Sequence, residues 1–270
     1  MQTNILFLGL GKMGSAIMHN FLKNKIKKDN ILTIDPISKE ANFSNISQIP
    51  VNYQADIVIF AIKPQNSAEI IANFKNSANY HQNTIFISIL AGKTIDFFEN
   101  ILGNDKKIIR LMPNLPILIN QGISAYFSNK NLQNNEEKLI INLFGDNIKL
   151  DQEEKINQAT AISGSGPAYL FLFAKNMITA ARKIGLNQEE AEKLAIKTIL
   201  GSANMLVNQD NLVKNNIKES DIDNLINNVT SKGGTTKAAL DILQNQDNSM
   251  QNMIEKAADA AFNRAKELSS

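Results

Sequence analysis

Three glycines near the amino end constrain this chain more than any other feature. Gly9, Gly11 and Gly14 follow the apolar run 5–8 and open a helical pattern. In such a turn the first glycine permits a tight bend, the second lets a pyrophosphate approach the backbone, and the third lets helix and strand pack closely. The helix start also offers free N–H groups to phosphates. The motif predicts dinucleotide binding by six residues: Gly9, Leu10, Gly11, Lys12, Met13 and Gly14.

Short apolar runs alternate with helical patterns over the first 150 residues. Runs that are apolar throughout and separated by helices indicate parallel strands buried on both faces. The predicted strands are 5–8, 31–34, 57–61, 84–89, 107–111, 122–126 and 147–150, and the predicted helices are 13–22, 67–74, 94–102 and 132–143. We predict an α/β fold, a Rossmann-type doubly wound sheet, as a dinucleotide-binding domain over residues 1–150. The pattern leaves open whether the last two strands form an antiparallel edge.

The strand pattern stops after residue 150, and residues 151–270 are predicted to form an all-α domain. Its predicted helices are 166–184, 188–207, 217–228, 235–243 and 249–268. Gly185 ends one helix and Asn187 caps the next. Several of these helices are apolar over more than one face, so we expect the domain to share apolar surface with a second copy as a homodimer.

Composition excludes several classes of function. With 28 basic against 26 acidic residues, the charge is too balanced to indicate a nucleic-acid or membrane partner. The chain has no Cys and only two His, which argues against thiolate chemistry, a metal site or a Ser-His-Asp triad. No apolar window reaches the length of a membrane span, since the longest, around 168–181, is interrupted or ended by Lys175, Asn176 and Arg182. Run 5–8 leads directly into the glycine motif rather than a signal-peptide pattern. We expect a cytoplasmic protein.

Asp35 bears on which dinucleotide is bound, because it ends the second predicted strand. A carboxylate there accepts hydrogen bonds from a ribose 2′-hydroxyl and repels a 2′-phosphate, which favours NADH over NADPH. Two observations keep the question open. Ser38 and Lys39 follow closely and are compatible with a phosphate, and Asp35 also suits a simple strand-end turn before Pro36.

Two further loops at the ends of predicted strands complete the candidate cofactor site. Ala61, Lys63 and Pro64 follow the third strand, where Pro64 suits the first position of a helix. Lys63 either faces the cofactor's phosphate or ribose or is a solvated surface lysine. Asn114 lies in a loop stiffened by prolines and offers a donor and an acceptor to an amide such as nicotinamide.

Two helix starts in the second half carry polar motifs. Segment 161–169 resembles a nucleophile elbow, but no strand precedes it and no histidine is near, so a serine hydrolase is disfavoured. Segment 229–236 places two glycines and two threonines at the start of a helix, where N–H groups, hydroxyls and the helix dipole favour an anion. With only three arginines in the chain, this is the predicted site for a substrate carboxylate. The alternative is a flexible linker with an ordinary cap.

Taken together, the motifs in segments 9–14, 61–65, 88–92, 110–116, 163–169 and 229–236 resemble those of pyrroline-5-carboxylate reductases, in the same order and spacing. The resemblance covers nearly the whole chain. It implies a Rossmann-type domain followed by an interlocked helical dimerisation domain, and assembly of dimers into larger rings such as a decamer. It also implies reduction of 1-pyrroline-5-carboxylate to L-proline by NAD(P)H, the last step of proline synthesis.

The resemblance also implies the substrate-binding residues. Backbone N–H groups of Gly233, Gly234 and Thr235 would hold the carboxylate, and Thr236, the implied catalytic residue, would hydrogen-bond the ring nitrogen. The remaining implied substrate-binding residues are Ser165, Gly166, Pro167 and Ser231. The pocket would combine one subunit's cofactor with helices partly from the other subunit.

Four departures from the family pattern are visible: Lys232 in place of a proline, Lys93 in place of an aliphatic residue, Leu115 in place of Thr, and segment 247–250 in place of a Gly-Phe pair. Two other functions stay in view. A β-hydroxyacid dehydrogenase would use Lys175 as its acid and base, although the flanking residues of that family are absent. A non-enzymatic dinucleotide-binding regulator is compatible with the changed loop at Lys232.

Overall fold

The computed structural model of the chain describes residues 3–24, 26–77, 79–207, 219–245 and 249–269. These form two compact units. The first comprises Met1–Pro167 together with Asp259–Ser270, and the second comprises Ala168–Ala258. The division at residue 150 marks where the predicted strands end, and as a domain boundary it stays a prediction.

A seven-stranded sheet forms the centre of the first unit. Its strands are β1 Ile5–Leu8, β2 Ile31–Ile34, β3 Ala55–Phe60, β4 Tyr80–Ser88, β5 Lys107–Met112, β6 Ile123–Ser128 and β7 Asp146–Lys149. They lie in the order β2-β1-β3-β4-β5-β6-β7, and β1 to β5 are parallel. β6 runs antiparallel to β5, and β7 runs parallel to β6. The last two strands therefore reverse direction together, which the sequence pattern left open.

Four α-helices connect strands of this sheet along the described chain: α1 Lys12–Lys23, α2 Ser67–Asn76, α3 Ile95–Leu102 and α4 Asn134–Ile141. Alternate strand residues build two cores, one on each face of the sheet. Ile5 and Phe7 pack in a cluster that includes Phe21 of α1, whereas Leu6 and Leu8 pack in a cluster that includes Phe74 of α2. Because successive side chains of a strand point to opposite faces, a strand apolar at every position is covered on both sides. The predicted doubly wound fold is confirmed.

The remaining elements are helical. They are α5 Lys155–Ala159, a π-helical turn at Thr160–Gly164, α6 Gly166–Lys183, α7 Gln188–Val207, α8 Glu219–Asn228, α9 Thr235–Leu243 and α10 Met250–Ser269. The predicted helices match these within about two residues, except that the first two residues predicted for α8 lie outside the described residues. Neither α5 nor the π-helical turn is predicted from the sequence, because a five-residue helix is too short to show a period.

The described part of the second unit buries very little of its own apolar surface. Its only buried apolar residues are Ala191 and Ala195, while Leu170, Phe171 and Leu172 of α6 are each about 60% exposed. Along α7, Leu194 and Leu200 are also more than half exposed. Such broad apolar exposure is typical of a surface that another chain covers. Within the described residues, no helix is long and apolar enough to cross a membrane.

Candidate active site

The glycine turn between β1 and α1 is braced by close backbone contacts. Gly9 has a φ of +96°, and a Cβ atom there would lie 2.5 Å from the carbonyl oxygen of Ala61. A Cβ atom on Gly14 would lie 2.7 Å from the carbonyl oxygen of Gly9 and 3.1 Å from the Cβ of Ala61. The N–H of Gly9 donates to the carbonyl of Ile34 at 2.8 Å. These two glycines are therefore required by the packing of the turn against the ends of β2 and β3.

Gly11 differs from its two neighbours in the motif. It is the N-cap of α1, in an extended conformation with φ −71° and ψ −169°, and nothing lies within 4 Å of a Cβ atom placed on it. The open space lies at the start of α1, where helix N–H groups and the helix dipole favour a phosphate. The turn thus fits a pyrophosphate: two glycines hold it closed, and the third leaves its surface free for the ligand.

A cleft of about 1060 Å³ runs along this turn and the ends of β2 and β3. This volume is at the upper end of the usual range for ligand sites, ~300–1,000 Å³. It lies where β1 has β2 on one side and β3 on the other, the switch point at which open α/β sheets bind dinucleotides. Seven of the predicted cofactor residues line it: Gly9, Leu10, Gly11, Lys12, Asp35, Ala61 and Lys63.

The other four predicted cofactor residues are not among the cleft-lining residues. Met13 packs against the core that α1 covers, and Gly14 lies buried beneath the turn. Pro64 opens the 3₁₀ turn Pro64–Asn66, the first-turn position predicted for it. Asn114 is 8% exposed at the end of β5. Their binding roles stay predictions.

The structure adds cleft residues that the sequence analysis did not identify. These lie mainly in the stretch after β2 and in the start of α2: Ser15, Ile37, Ser44, Asn45, Ile46, Ser47, Ile62, Asn66 and Ile70. Residues 36–49 have no long helix or strand and hence no periodicity, so their position along the cleft could not be predicted. Lys39, considered as a phosphate partner, instead lines a separate depression with His19 and Glu40.

Asp35 is held by three backbone N–H groups. Its Oδ2 accepts from Leu10 N at 2.7 Å, and its Oδ1 accepts from Ile37 N and Ser38 N, both at 2.8 Å. Burial acts to raise the pKa of the carboxyl, but the three hydrogen bonds outweigh it and hold the pKa below its ordinary value. The strand-end turn considered for Asp35 is present, and the same carboxylate also reaches the glycine turn.

Asn114 has lost part of the hydrogen-bonding capacity that the sequence suggested. Its side-chain oxygen accepts from Ile123 N at 3.0 Å, across the start of β6. The side-chain amide N–H groups are then the groups left to meet a ligand. The 3₁₀ helix Leu115–Ile119, which follows, is fixed to α1 because buried Asn20 donates to the carbonyl of Ile117 at 3.1 Å. Asn114 therefore lies at the edge of a fixed loop.

An ion pair of the buried Arg110 fastens the segment before the π-helical turn to β5. Arg110 is 2% exposed, and its Nη1 lies 3.0 Å from Glu153 Oε1, while its Nη2 donates to Asn157 of α5 at 3.4 Å. The π-helical turn follows α5. In it, Ser165 N donates to the carbonyl of the residue five positions earlier, Thr160, at 2.9 Å. Ser165, Gly166 and Pro167 are half-buried at the start of α6. A π-helical turn often marks a functional site.

The predicted anion site lies at the start of α9, where two glycines shape the turn. Gly233 has a φ of +72°, and Gly234 is the N-cap of α9 in an extended conformation. Gly234 N donates to the carbonyl of Ser231 at 3.0 Å, which closes the turn. A Cβ atom on Gly233 would meet nothing within 4 Å. Thr235 is exposed and Thr236 half-buried, so the start of this helix is open within the described chain.

Comparisons with known proteins agree with these features. The profile for pyrroline-5-carboxylate reductase dimerisation matches residues 153–268, and a profile described as NADP oxidoreductase, coenzyme F420-dependent, matches residues 4–92. The pyrroline-5-carboxylate reductase of Haemophilus influenzae is 31% identical over 274 residues, which cover 98% of this chain and 97% of that protein.

Solved structures give the same result. Pyrroline carboxylate reductase from Plasmodium falciparum, determined with NADP bound, superposes with a TM-score of 0.85 at 32% identity and covers 99% of this chain and 98% of that one. A pyrroline-5-carboxylate reductase from Coxiella burnetii also has a TM-score of 0.85, at 30% identity, with 100% of both chains covered.

The fold, the glycine turn and the dimerisation match define a Rossmann-type, dinucleotide-dependent oxidoreductase whose helical region matches a dimerisation profile. More specifically, the chain belongs to the pyrroline-5-carboxylate reductase family. The resemblance inferred from the motifs is confirmed, and with it the class of enzyme and the dependence on NAD(P)H. Neither alternative function is supported by these matches.

Proposed function

We propose that this chain reduces 1-pyrroline-5-carboxylate to L-proline with NAD(P)H, in the cytoplasm, and that its own glycine turn and α9 start hold the two reactants. The observation that carries the proposal is a pair of open helix starts. One, at Gly11, lines the dinucleotide cleft, and the other, at Gly234, lies in the segment that matches the family's dimerisation profile.

The cofactor half of the proposed site is built by the first unit. Gly9 and Gly14 hold the turn, and Gly11 N–H and the start of α1 would bind the pyrophosphate, with Lys12 and Lys63 lining the cleft as cations. When bound, the reduced nicotinamide supplies the hydride. The protein's own contribution is to bind and orient the dinucleotide in a cleft with walls already formed.

The substrate half of the proposed site is the start of α9. Its N–H groups and helix dipole favour a carboxylate, and the left-handed turn at Gly233 directs the chain into that helix. Gly233, Gly234 and Thr235 would hold the carboxylate through backbone N–H groups. The hydroxyl of Thr236 would hydrogen-bond the ring nitrogen. Ser231 would support the turn. The pocket would be bordered by Ser165, Gly166 and Pro167.

This assignment explains how a chain with two His and no Cys performs the reaction. An imine is electrophilic once its nitrogen is protonated, and it can take that proton from water before it binds, so no strong general acid is needed. The described residues also contain no group of three or more His, Asp or Glu that could hold a metal ion. The chain's task is to orient the protonated imine against the nicotinamide and to exclude water.

We further propose that the homo-oligomer is built from dimers, with the exposed apolar faces of α6 and α7 buried between two copies, and that larger rings such as a decamer assemble from them. In this dimer, the cofactor half of each pocket would come from one subunit and part of the helical half from the other. The partner in the reaction is a small molecule, with no role for nucleic acid or a membrane.

The test is a direct assay that follows NADH and NADPH absorbance and proline formation with 1-pyrroline-5-carboxylate, in the native chain and in Thr236→Ala. We expect Thr236→Ala to lower turnover at saturation by about tenfold or more, because it removes a hydrogen bond to the reacting ring. Its affinity for the reduced cofactor should not change.

Thr235→Ala is the matched control. It removes the neighbouring hydroxyl but keeps the backbone N–H proposed to bind the carboxylate, so its turnover should stay close to that of the native chain. Collapse of cofactor affinity in Thr236→Ala, with turnover at saturation unchanged, would show that the assignment is wrong. Absence of proline from the native chain would overturn the proposed function itself.

A further inference from the structure

Asp35 does more in this structure than end a strand. Its carboxylate lies directly after β2, at the wall of the dinucleotide cleft, and it joins two backbone segments that are 25 residues apart in sequence. One oxygen accepts from Leu10 N inside the glycine turn, and the other accepts from Ile37 N and Ser38 N in the turn after β2. All three distances are 2.7 or 2.8 Å, the short range of charge-assisted hydrogen bonds.

The Leu10 bond matters because of where it falls. Leu10 lies between Gly9, whose Cβ position is blocked by Ala61, and Gly11, whose surface is open to the cleft. Gly9 is already fixed to β2 through its N–H bond to Ile34. The bond from Leu10 to Asp35 fixes the next peptide and so determines how Gly11 and the start of α1 face the ligand.

Few other side chains could make this set of contacts. A carboxylate is an acceptor at both oxygens, whereas the amide of an asparagine would turn an N–H₂ group toward at least one of the backbone N–H donors. Serine and alanine are too short, or lack the acceptors, to reach both segments. The three N–H dipoles also point at the carboxylate and offset part of its charge toward the cleft.

We propose that Asp35 is a positioning residue that locks the glycine turn for NADH and NADPH alike, rather than the residue that selects between them. The inference rests on the proposed function only where rates with 1-pyrroline-5-carboxylate are measured, because cofactor binding is measured without substrate. It revises the expectation that a carboxylate after β2 favours NADH by binding the ribose directly, because three of the roughly four acceptor positions of the carboxylate are already used by the protein's own backbone.

The experiment compares Asp35→Asn and Asp35→Ala with the native chain. Dissociation constants for NADH and NADPH are measured by cofactor fluorescence without substrate, and KM for both cofactors and for 1-pyrroline-5-carboxylate is measured by initial rates. Loss of the charge-assisted bonds should weaken binding of each cofactor by about tenfold or more. The two factors should agree within about twofold, and KM for the imine should stay unchanged.

Asp29→Asn is the matched control, since Asp29 is an exposed aspartate of the first unit that does not line the cleft. It should alter neither cofactor constant. Amide hydrogen exchange at Leu10 provides a second measurement, and it should become faster in Asp35→Asn and stay native in Asp29→Asn. This measurement remains informative if Asp35→Ala fails to fold.

Two results would overturn the inference. One is a gain in NADPH binding relative to NADH of about tenfold in Asp35→Ala, the response expected of a direct selector. The other is unchanged binding of both cofactors. Because binding is measured without the imine, failure of the native chain to make proline would count against the proposed function and leave the test of Asp35 valid.

Discussion

Two glycine turns lead into helices in this chain, at α1 and at α9, and they are built differently. At α1, neighbouring residues enclose the turn. A Cβ atom on Gly9 or Gly14 would contact Ala61, and the carboxylate of Asp35 accepts a hydrogen bond from Leu10 N. At α9, a Cβ atom on Gly233 would meet nothing within 4 Å, and the three atoms nearest to a Cβ atom on Gly234 all belong to Ser231. Both are proposed to bind an anion, and the first is enclosed by residues of its own unit.

We infer from this difference which half of the proposed active site one subunit can make alone. The dinucleotide cleft lies in a unit with two buried cores, so a single chain forms it. The α9 turn belongs to a unit whose described apolar residues are mostly exposed. We infer that the remaining walls of the substrate pocket are supplied when a second copy covers those surfaces.

The largest effect that we predict is a difference in unfolding free energy between glycine-to-alanine substitutions in the two turns. Gly9→Ala combines a left-handed φ with a Cβ atom 2.5 Å from a backbone oxygen, and should cost about 3–5 kcal/mol of unfolding free energy. Gly233 also has a positive φ, but nothing lies close to its Cβ position. Gly233→Ala should therefore lower the unfolding free energy by only about 1–2 kcal/mol. Denaturant unfolding of both variants measures the difference, and equal losses would show that the two turns are equally braced.

A second prediction concerns the apolar faces. Leu172→Glu places a charge in α6, at a residue that is 59% exposed in the single chain. We expect it to yield monomers by light scattering and to lower proline formation by about a hundredfold or more, because burying an unpaired charge in an interface is strongly unfavourable. Cofactor binding should be retained, since the cleft is formed by the first unit.

Val51→Glu is the control for that prediction. It makes the same kind of substitution at a residue of the first unit that is 97% exposed, so the oligomer and the activity should be unchanged. Leu172→Glu chains that remain dimeric and fully active would remove α6 from the proposed interface.

The sequence predicted the regular parts of this molecule well and its loops poorly. The apolar runs of β1 and β2 have the predicted bounds, because strands buried on both faces leave an unambiguous pattern. By contrast, the sequence did not predict that the carboxylate of Asp35 accepts from Leu10 N or that the side-chain oxygen of Asn114 accepts from Ile123 N, and the cofactor roles of both residues stay predictions. Hydrogen bonds between distant segments have no periodicity, so composition and spacing could not predict them.

The smallest predicted effect is a pH dependence that originates at Asp35. The pKa of its carboxyl is lower in the folded chain than in the unfolded chain, where it is close to 3.8. The ionised group therefore stabilises the fold fully only above about pH 5, and this contribution disappears as the pH falls through the folded-state pKa. The stability difference between the native chain and Asp35→Asn should narrow as the pH drops from 6 toward 3, measured by denaturant unfolding. A constant difference would mean that the three N–H bonds do not stabilise the carboxylate.

The most direct test of the shared pocket is complementation between two defective chains. Gly11→Val obstructs the open surface of the glycine turn, and Thr236→Ala removes the proposed contact to the ring nitrogen. If each pocket takes its cofactor half from one subunit and its α9 turn from the other, co-expression in equal amounts gives mixed dimers with one intact pocket. Proline formation should then recover to about a quarter of the native rate. Activity no higher than the average of the two variants alone would contradict the claim that a second copy completes the substrate site.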